Sequence, residues 1–323
     1  MPNDDALKFE RTAGLVAPSS VEQIVRSAIE RKDAFSLIRC GDGESVVLGY
    51  PEFVHDTRFM GWMRNFFGPH ADRPEVFRSL REWLEWAVSC ADVVGTFREQ
   101  IGDIERARQA ALGLGALRVL TDDQKVEING IEWRLLDHLT RPLILEQCLR
   151  TTSNIHIKME ESGLLKSIAA EADRLNVITG NDIKEKLEAA FPTTRIVQYR
   201  VPTEYKFEPV RDSWNDAEPH FPDVFNRIMD LIEQGDFEGV TFVGAGPCGK
   251  IYASAIKKAG GIALDIGSIM DVWAGRDTRS FMRTIRPGTF ASGVQADARP
   301  PARSSHGDLP DPSRLGRGQR ARY

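Results

Sequence analysis

The 323-residue chain lacks long apolar runs, paired cysteines and any basic block ahead of its tail. Each absence removes a class of protein. No stretch approaches the roughly 18 consecutive apolar residues that a membrane span needs, so no spanning helix is expected. The opening Met-Pro-Asn-Asp-Asp has neither a basic n-region nor an apolar h-region, so no signal peptide is expected. Cys40, Cys90, Cys148 and Cys248 stand far apart with no CxxC spacing. That pattern fits a reduced, cytoplasmic protein better than a disulfide framework or a zinc scaffold. With a net charge of −5, nucleic acid is not an expected partner. The histidines His55, His70, His138, His156 and His220 show no ligand spacing and are expected to be structural or surface residues. What is present is ordinary for a soluble globular chain: 41% hydrophobic and 28% charged residues.

Apolar patterning predicts an α/β architecture. Ser20-Val-Glu-Gln23 has the form of a capping box, followed by the helical stripe Val21, Ile24, Val25, Ala28 and Ile29. A strand is expected at 35–40, a helix at 74–88, and strands near 91–95 and 116–120. Asn129-Gly130, flanked by alternating residues, marks a candidate hairpin over 126–133. The second half alternates helix and strand: helices at 161–173, 182–190, 221–234 and 249–259, and strands at 175–179, 194–199, 239–243 and 262–266. Such alternation predicts a Rossmann-like single domain, its largely parallel sheet covered by helices on both faces. Residues 1–18 are expected to form an N-terminal extension and 19–286 the domain. Residues 287–323, rich in Pro, Gly, Arg and Ser, have the composition of a disordered tail. Phe59, Trp62, Met63 and Phe66 recur at helical spacing, which is expected of core packing.

Two segments carry chemistry. In the first, the strand at 35–40 runs into Arg39-Cys-Gly-Asp-Gly-Glu44. Gly41 ends the strand, and Asp42 and Glu44 follow at i, i+2. On a non-helical turn two such acids aim at one point, and hard divalent cations take carboxylate and phosphate oxygens together. Arg39 adds a cation suited to a phosphate oxygen. The alternative is a polar turn with two solvated acids.

The second segment is Val243-Gly-Ala-Gly-Pro-Cys-Gly-Lys250. Gly244, Gly246 and Gly249 match G-x-G-x-x-G between a strand and a helix, where glycines let a pyrophosphate approach the helix N-terminus. Lys250, expected in the first helical turn, is a candidate phosphate contact. Asp265 lies about 20 residues on, where a dinucleotide fold places its ribose-binding acid. Position argues against an ordinary NAD domain, because the fingerprint normally opens its domain and here little foldable chain follows Asp265.

Together these segments resemble the GT-D fold glycosyltransferases, with Gly260-Gly-Ile-Ala-Leu-Asp-Ile-Gly-Ser-Ile-Met-Asp-Val-Trp-Ala-Gly275 as the more specific block. The resemblance spans residues 20–285. It implies transfer of a sugar from a nucleotide donor, UDP-linked by expectation, to a glycan or glycoprotein acceptor in surface-glycan or glycoprotein assembly. It also implies a DxE motif, carried by Asp42 and Glu44, at a donor site assisted by Mn²⁺ or Mg²⁺. Arg39, Gly41, Gly244, Gly246, Gly249, Lys250 and Ser268 complete the expected donor-binding set. Cys40 and Ser45 stand where relatives often carry an aromatic, and Ser268 where some carry His. Asp265 and Asp271 are the candidate general bases, although Asp271 equally suits a cap for the segment leading to Trp273. An NAD-dependent oxidoreductase built on 244–265 and a catalytically silent nucleotide-sugar binder are the alternative readings.

Overall fold

The computed structural model describes residues 16–52, 54, 56–68, 74–96, 148–204 and 218–276. The strand expected near 116–120, the hairpin over 126–133 and the tail lie outside them. Among the described residues seven strands form one sheet: β1 (Phe35–Arg39), β2 (Val93–Thr96), β3 (Leu149–Thr152), β4 (Arg174–Thr179), β5 (Arg195–Arg200), β6 (Val240–Gly244) and β7 (Ile262–Asp265). Their order is β3-β2-β1-β7-β6-β4-β5. Every neighbouring pair is parallel. The central strands are buried along nearly their whole length, as β1 and β7 show, because helices cover both faces. Edge strand β5 is buried fully only at Ile196. The opposite edge, β3, is covered by the chain ahead of the first helix. Val16 donates its N–H to the Arg150 carbonyl at 2.6 Å and accepts from the Thr151 hydroxyl at 2.9 Å.

The helices are α1 (Pro18–Arg31), α2 (Asp42–Gly49), α3 (Asp56–Phe67), α4 (Pro74–Cys90), α5 (Ile155–Glu161), α6 (Leu164–Glu171), α7 (Lys184–Ala190), α8 (Phe225–Glu233), α9 (Gly246–Lys258) and α10 (Ile269–Ala274). A π-type turn, His220–Val224, leads into α8. One apolar layer joins α2, α3, α4, α8 and α9 through Val47, Met63, Leu84, Phe225 and Tyr252. The other joins α1, α5, α6, α7 and α10 through Val25, Ile155, Leu165, Leu187 and Trp273. Crossovers β1 to β2, β5 to β6 and β6 to β7 run toward the β3 edge across the first face. Those from β3 to β4 and β4 to β5 run the other way across the second. One crossover hand demands this division.

Several local expectations change. Pro18 occupies the first turn of α1, with Ala17 at the N-cap and no side-chain cap, so Ser20 lies inside the helix. Proline fits there because that position's N–H has no helical partner. The helix expected at 161–173 is α6, Leu164–Glu171, and Gly163 with φ +79° separates it from α5. Strand β3 and helix α5 had no expectation. The aromatic stripe is α3, with Phe59 and Met63 buried and Trp62 and Phe66 half-buried.

Candidate active site

At its C-terminal edge the sheet sends neighbouring strands to opposite faces. From β1 the chain turns to α2 on the first face, and from β7 to α10 on the second. Such a divergence opens the crevice where ligands of open α/β sheets bind. Arg39 ends β1 and Asp265 ends β7, so both chemical segments reach the same crevice.

Asp42 and Glu44 do not lie on a non-helical turn. Gly41 is the N-cap of α2 and the two acids occupy its first turn. The Glu44 carboxylate folds back, Oε2 accepting the Gly41 N–H at 2.7 Å as the return half of a capping box. Helix won because Asp and Glu favour a first turn, where the macrodipole is positive.

Glu44 meets the glycine segment through Lys250. The ammonium lies 3.0 Å from Glu44 Oε1 and 3.4 Å from Asp265 Oδ2, and donates to the Gly246 carbonyl at 3.0 Å. Its side chain is only 7% exposed. Burial pushes the Lys250 pKa down, but Asp265 and Glu44 outweigh it and leave the group above its ordinary value. Because α9 starts at Gly246, Lys250 sits in the second turn, not the first. Gly244 ends β6, and Gly249 is buried within α9. Gly246 has φ +55°, and a Cβ there would stand 3.3 Å from the Phe66 ring. Pro247 brings no N–H, so Gly246 and Cys248 supply the leading amides of α9.

Asp265 is held from the other side by Arg39. Its Oδ2 accepts the Arg39 main-chain N–H at 3.3 Å, and its Oδ1 lies 3.3 Å from Nη2. The Asp265 carbonyl accepts from Arg39 Nε at 2.9 Å. A Cβ on Gly267, φ +47°, would collide with Arg39 Nη2, so the guanidinium as it stands crosses the β7–α10 turn where that residue carries no side chain. Arg39 Nη1 is 3.0 Å from Nδ1 and 3.1 Å from Nε2 of His156. Near-equal distances mean that the guanidinium rests against the ring instead of aiming at one lone pair. Ser268 Oγ lies 3.5 Å from His156 Nε2. His156, dismissed by spacing, therefore belongs to the cluster. Its partner is 117 residues away in sequence, so no local pattern announces it.

Asp271 lies in the first turn of α10 and is not its cap, a position held by Ser268. Its Oδ1 accepts from Asn181 Nδ2 at 2.8 Å, and Asn181 Oδ1 in turn accepts from Arg276 at 2.9 Å. That chain borders a cavity of about 640 Å³ beyond the ends of β4 and β5, lined in part by Gly180, Asn181, Arg200, Thr203, Arg227 and Arg276.

A family of GT-D fold-like domains matches residues 16–273. The chain belongs to the GT-D-like family. Two solved structures of DUF1792 resemble it at a TM-score of 0.47, with 14% and 13% identity, covering 84% of this chain and 86% of theirs. The second of these domains is described as having a distinct glycosyltransferase fold. No curated protein matches the sequence. GT-D-like membership supports a glycosyltransferase in general terms. Among the described residues, no helix is long and apolar enough to cross a membrane.

The divalent cation implied by the GT-D resemblance is expected at Asp42 and Glu44, and the side chain of Asp42 lies outside the described residues; Glu44 and its neighbour Asp265 can be considered as a pair. Glu44 has one oxygen on Gly41 and the other on Lys250, while Asp265 has both oxygens on Arg39 or Lys250. The two acids carry as much negative charge as Arg39 and Lys250 carry positive. Hard divalent cations require carboxylate oxygens that are not already neutralised. An ion bridging Glu44 and Asp265 would have to displace the ammonium, so this pair as arranged does not fit one.

Proposed function

We propose that this GT-D-like chain transfers a sugar from a nucleotide donor, UDP-linked, to a glycan or glycoprotein acceptor. One observation carries the reading: Arg39, Glu44, Lys250 and Asp265 converge where β1 and β7 part, beside the N-terminus of α9. A leaving nucleoside diphosphate needs fixed positive charge and N–H donors where its own charge develops. Lys250 and Arg39 supply the charge, and the leading amides of α9 supply donors aligned with a helix macrodipole. Asp265, 1% exposed with both oxygens engaged, orients the two cations. The same engagement weighs against a hydride-transfer reading, which needs that acid on a ribose hydroxyl.

The acceptor is assigned to the cavity over β4 and β5, whose volume of about 640 Å³ is of ligand-pocket size. Direct attack by an acceptor hydroxyl calls for a general base. Asp271, joined to the cavity wall through Asn181, is better placed for that role than Asp265. Cys40, Cys90, Cys148 and Cys248 are all free thiols, which supports a cytoplasmic setting. Burial pushes the Cys40 and Cys248 thiols up and keeps them unreactive.

Isothermal titration of the full chain with a panel of nucleotide sugars and with NAD(H), followed by assay of nucleotide release in the presence of glycan acceptors, tests the assignment. Nucleotide-sugar binding with turnover is expected. Binding to NAD(H) alone would overturn the transferase, and binding without turnover would make the chain a nucleotide-sugar sensor.

A further inference from the structure

We propose that Trp62 and Phe66 of α3 are the seat of the donor's nucleobase, which stacks on their exposed ring surface. This rests on the nucleotide-sugar reading above and adds to it where one part of the donor lies. Phe59 and Met63, four residues apart, put one row of α3 into the core, where Phe59 stacks on Tyr50 at 3.9 Å and meets Phe77 edge-on at 4.7 Å. Those contacts fix the helix. Trp62 and Phe66, also four apart, form the neighbouring row and stay half-buried, with ring centroids 4.4 Å apart and planes 35° from parallel. Half-exposed aromatics are ordinary one at a time, and what singles out this pair is what it touches. A Cβ on Gly43 would collide with the Trp62 indole, and one on Gly246 would stand 3.3 Å from the Phe66 ring. Gly43 lies between Asp42 and Glu44 in the first turn of α2, and Gly246 opens α9 with its carbonyl accepting from the Lys250 ammonium at 3.0 Å. The two rings therefore lie against the starts of both helices that bring charge to the crevice.

The chemistry of this surface selects the base over the sugar. Phe66 has no polar side-chain atom, and the one N–H of Trp62 is turned to the Gly43 backbone, Nε1 lying 2.9 Å from where a Cβ would stand. A sugar on these rings would find no partner there for its hydroxyls, whereas every base has a flat π-face that an aromatic ring can cover. A nucleotide joins its base to its phosphates through a single ribose. A diphosphate held beside Lys250 therefore keeps its base within reach of rings that touch the same turn.

The test is titration of the full chain, in Mn²⁺, with UDP, with GDP and ADP as further probes, and with UDP-glucose; inorganic pyrophosphate is read by its competition with the bound nucleotide. Trp62→Leu should weaken nucleotide binding by about tenfold, and Phe66→Leu should act in the same direction. Trp62→Phe, close to leucine in size but aromatic, should stay within about threefold of wild type. Pyrophosphate, which has no base, should bind wild type and variants alike. Undiminished nucleotide binding by the folded leucine variants overturns the proposal and leaves the transferase reading standing. An equal loss of nucleotide and pyrophosphate overturns it too, because the rings then only shape the two glycine turns. A loss confined to UDP-glucose, with UDP unaffected, gives the rings to the sugar and overturns the base. No nucleotide binding by wild type overturns both readings together. Should Trp62→Leu fail to fold, Phe66→Leu and Trp62→Phe carry the same comparison.

Discussion

Two titratable groups are buried around α9 and are pushed in opposite directions. Lys250, in the crevice at the sheet edge, faces Glu44 and Asp265, which raise its pKa despite burial. His220, in the π-type turn on the apolar face, has the Tyr252 hydroxyl 3.1 Å from Nε2 and rings of Phe67 and Tyr252 beside it. Desolvation alone pushes it down to about 4. The comparison separates two uses of burial. In the crevice a charge is kept, oriented and compensated; under the π-type turn a charge is refused, and the ring serves as packing with one hydrogen bond.

Breaking the crevice side should have the largest effect. Lys250→Met leaves Glu44 and Asp265 facing each other without their shared cation, and loss of one partner from a buried ion pair costs about 3–5 kcal/mol. Urea unfolding near neutral pH should show a loss of that order. Lys250→Arg, which keeps the charge in a longer side chain, should lose less. Because the folded pKa lies above the unfolded one, the contribution of Lys250 is fully present below the ordinary lysine range and fades only as pH rises through the folded value. A Lys250→Met protein as stable as wild type would show that the acids are well solvated and that the cluster is not a unit.

The difference between the two sites also marks what the sequence could tell. The strands were legible because buried parallel strands are short continuous apolar runs, as in Phe35-Ser-Leu-Ile and Ile262-Ala-Leu. The glycine segment was legible because its chemistry is local. Strand β3, Leu149-Arg-Thr-Thr152, was not, since its outer edge is closed by Val16 and nothing in the four residues requires a sheet. Within the site, the residue types at 39, 42, 44, 250 and 265 pointed to one ligand, but the pairing of Glu44 with Lys250 was not legible. A capping box and a metal-binding acid have the same residue type at the same position, so the sequence alone could not show that Glu44 folds back on Gly41 and meets Lys250. His156 and Gly267 were invisible for a related reason. Their meaning is a contact with Arg39 that depends on the sheet bringing β1, β7 and the start of α5 together.

The apolar side is sharpened by pH. His220 is neutral in the folded protein until about pH 4, whereas an unfolded histidine takes its proton near 6.5. Stability from this group is complete above the unfolded value and declines as pH falls toward the folded one. The expected loss between about pH 7 and about pH 5 is about 2 kcal/mol. Chemical denaturation of wild type and His220→Gln at both pH values isolates it, because glutamine keeps a partner for Tyr252 without titrating. Identical pH profiles for the two proteins would show that the ring is solvated in the folded state.

The smallest effect belongs to a charge pair on the same sheet edge but outside the crevice. Arg200 and Asp182 lie 3.3 Å apart in the wall of the cavity, with side chains 55% and 81% exposed. Water screens such a pair and both side chains give up freedom to form it, so Arg200→Ala should change stability by less than about 1 kcal/mol. Nucleotide binding at the crevice should also be unchanged, since Arg200 pairs with Asp182 and not with the acids that hold Lys250. Paired thermal unfolding and nucleotide titration of wild type and variant test both statements. A stability loss approaching that of Lys250→Met would mean that the cavity wall is as tightly compensated as the crevice. A loss of nucleotide affinity at normal stability would instead extend the donor site across β6 to the ends of β4 and β5.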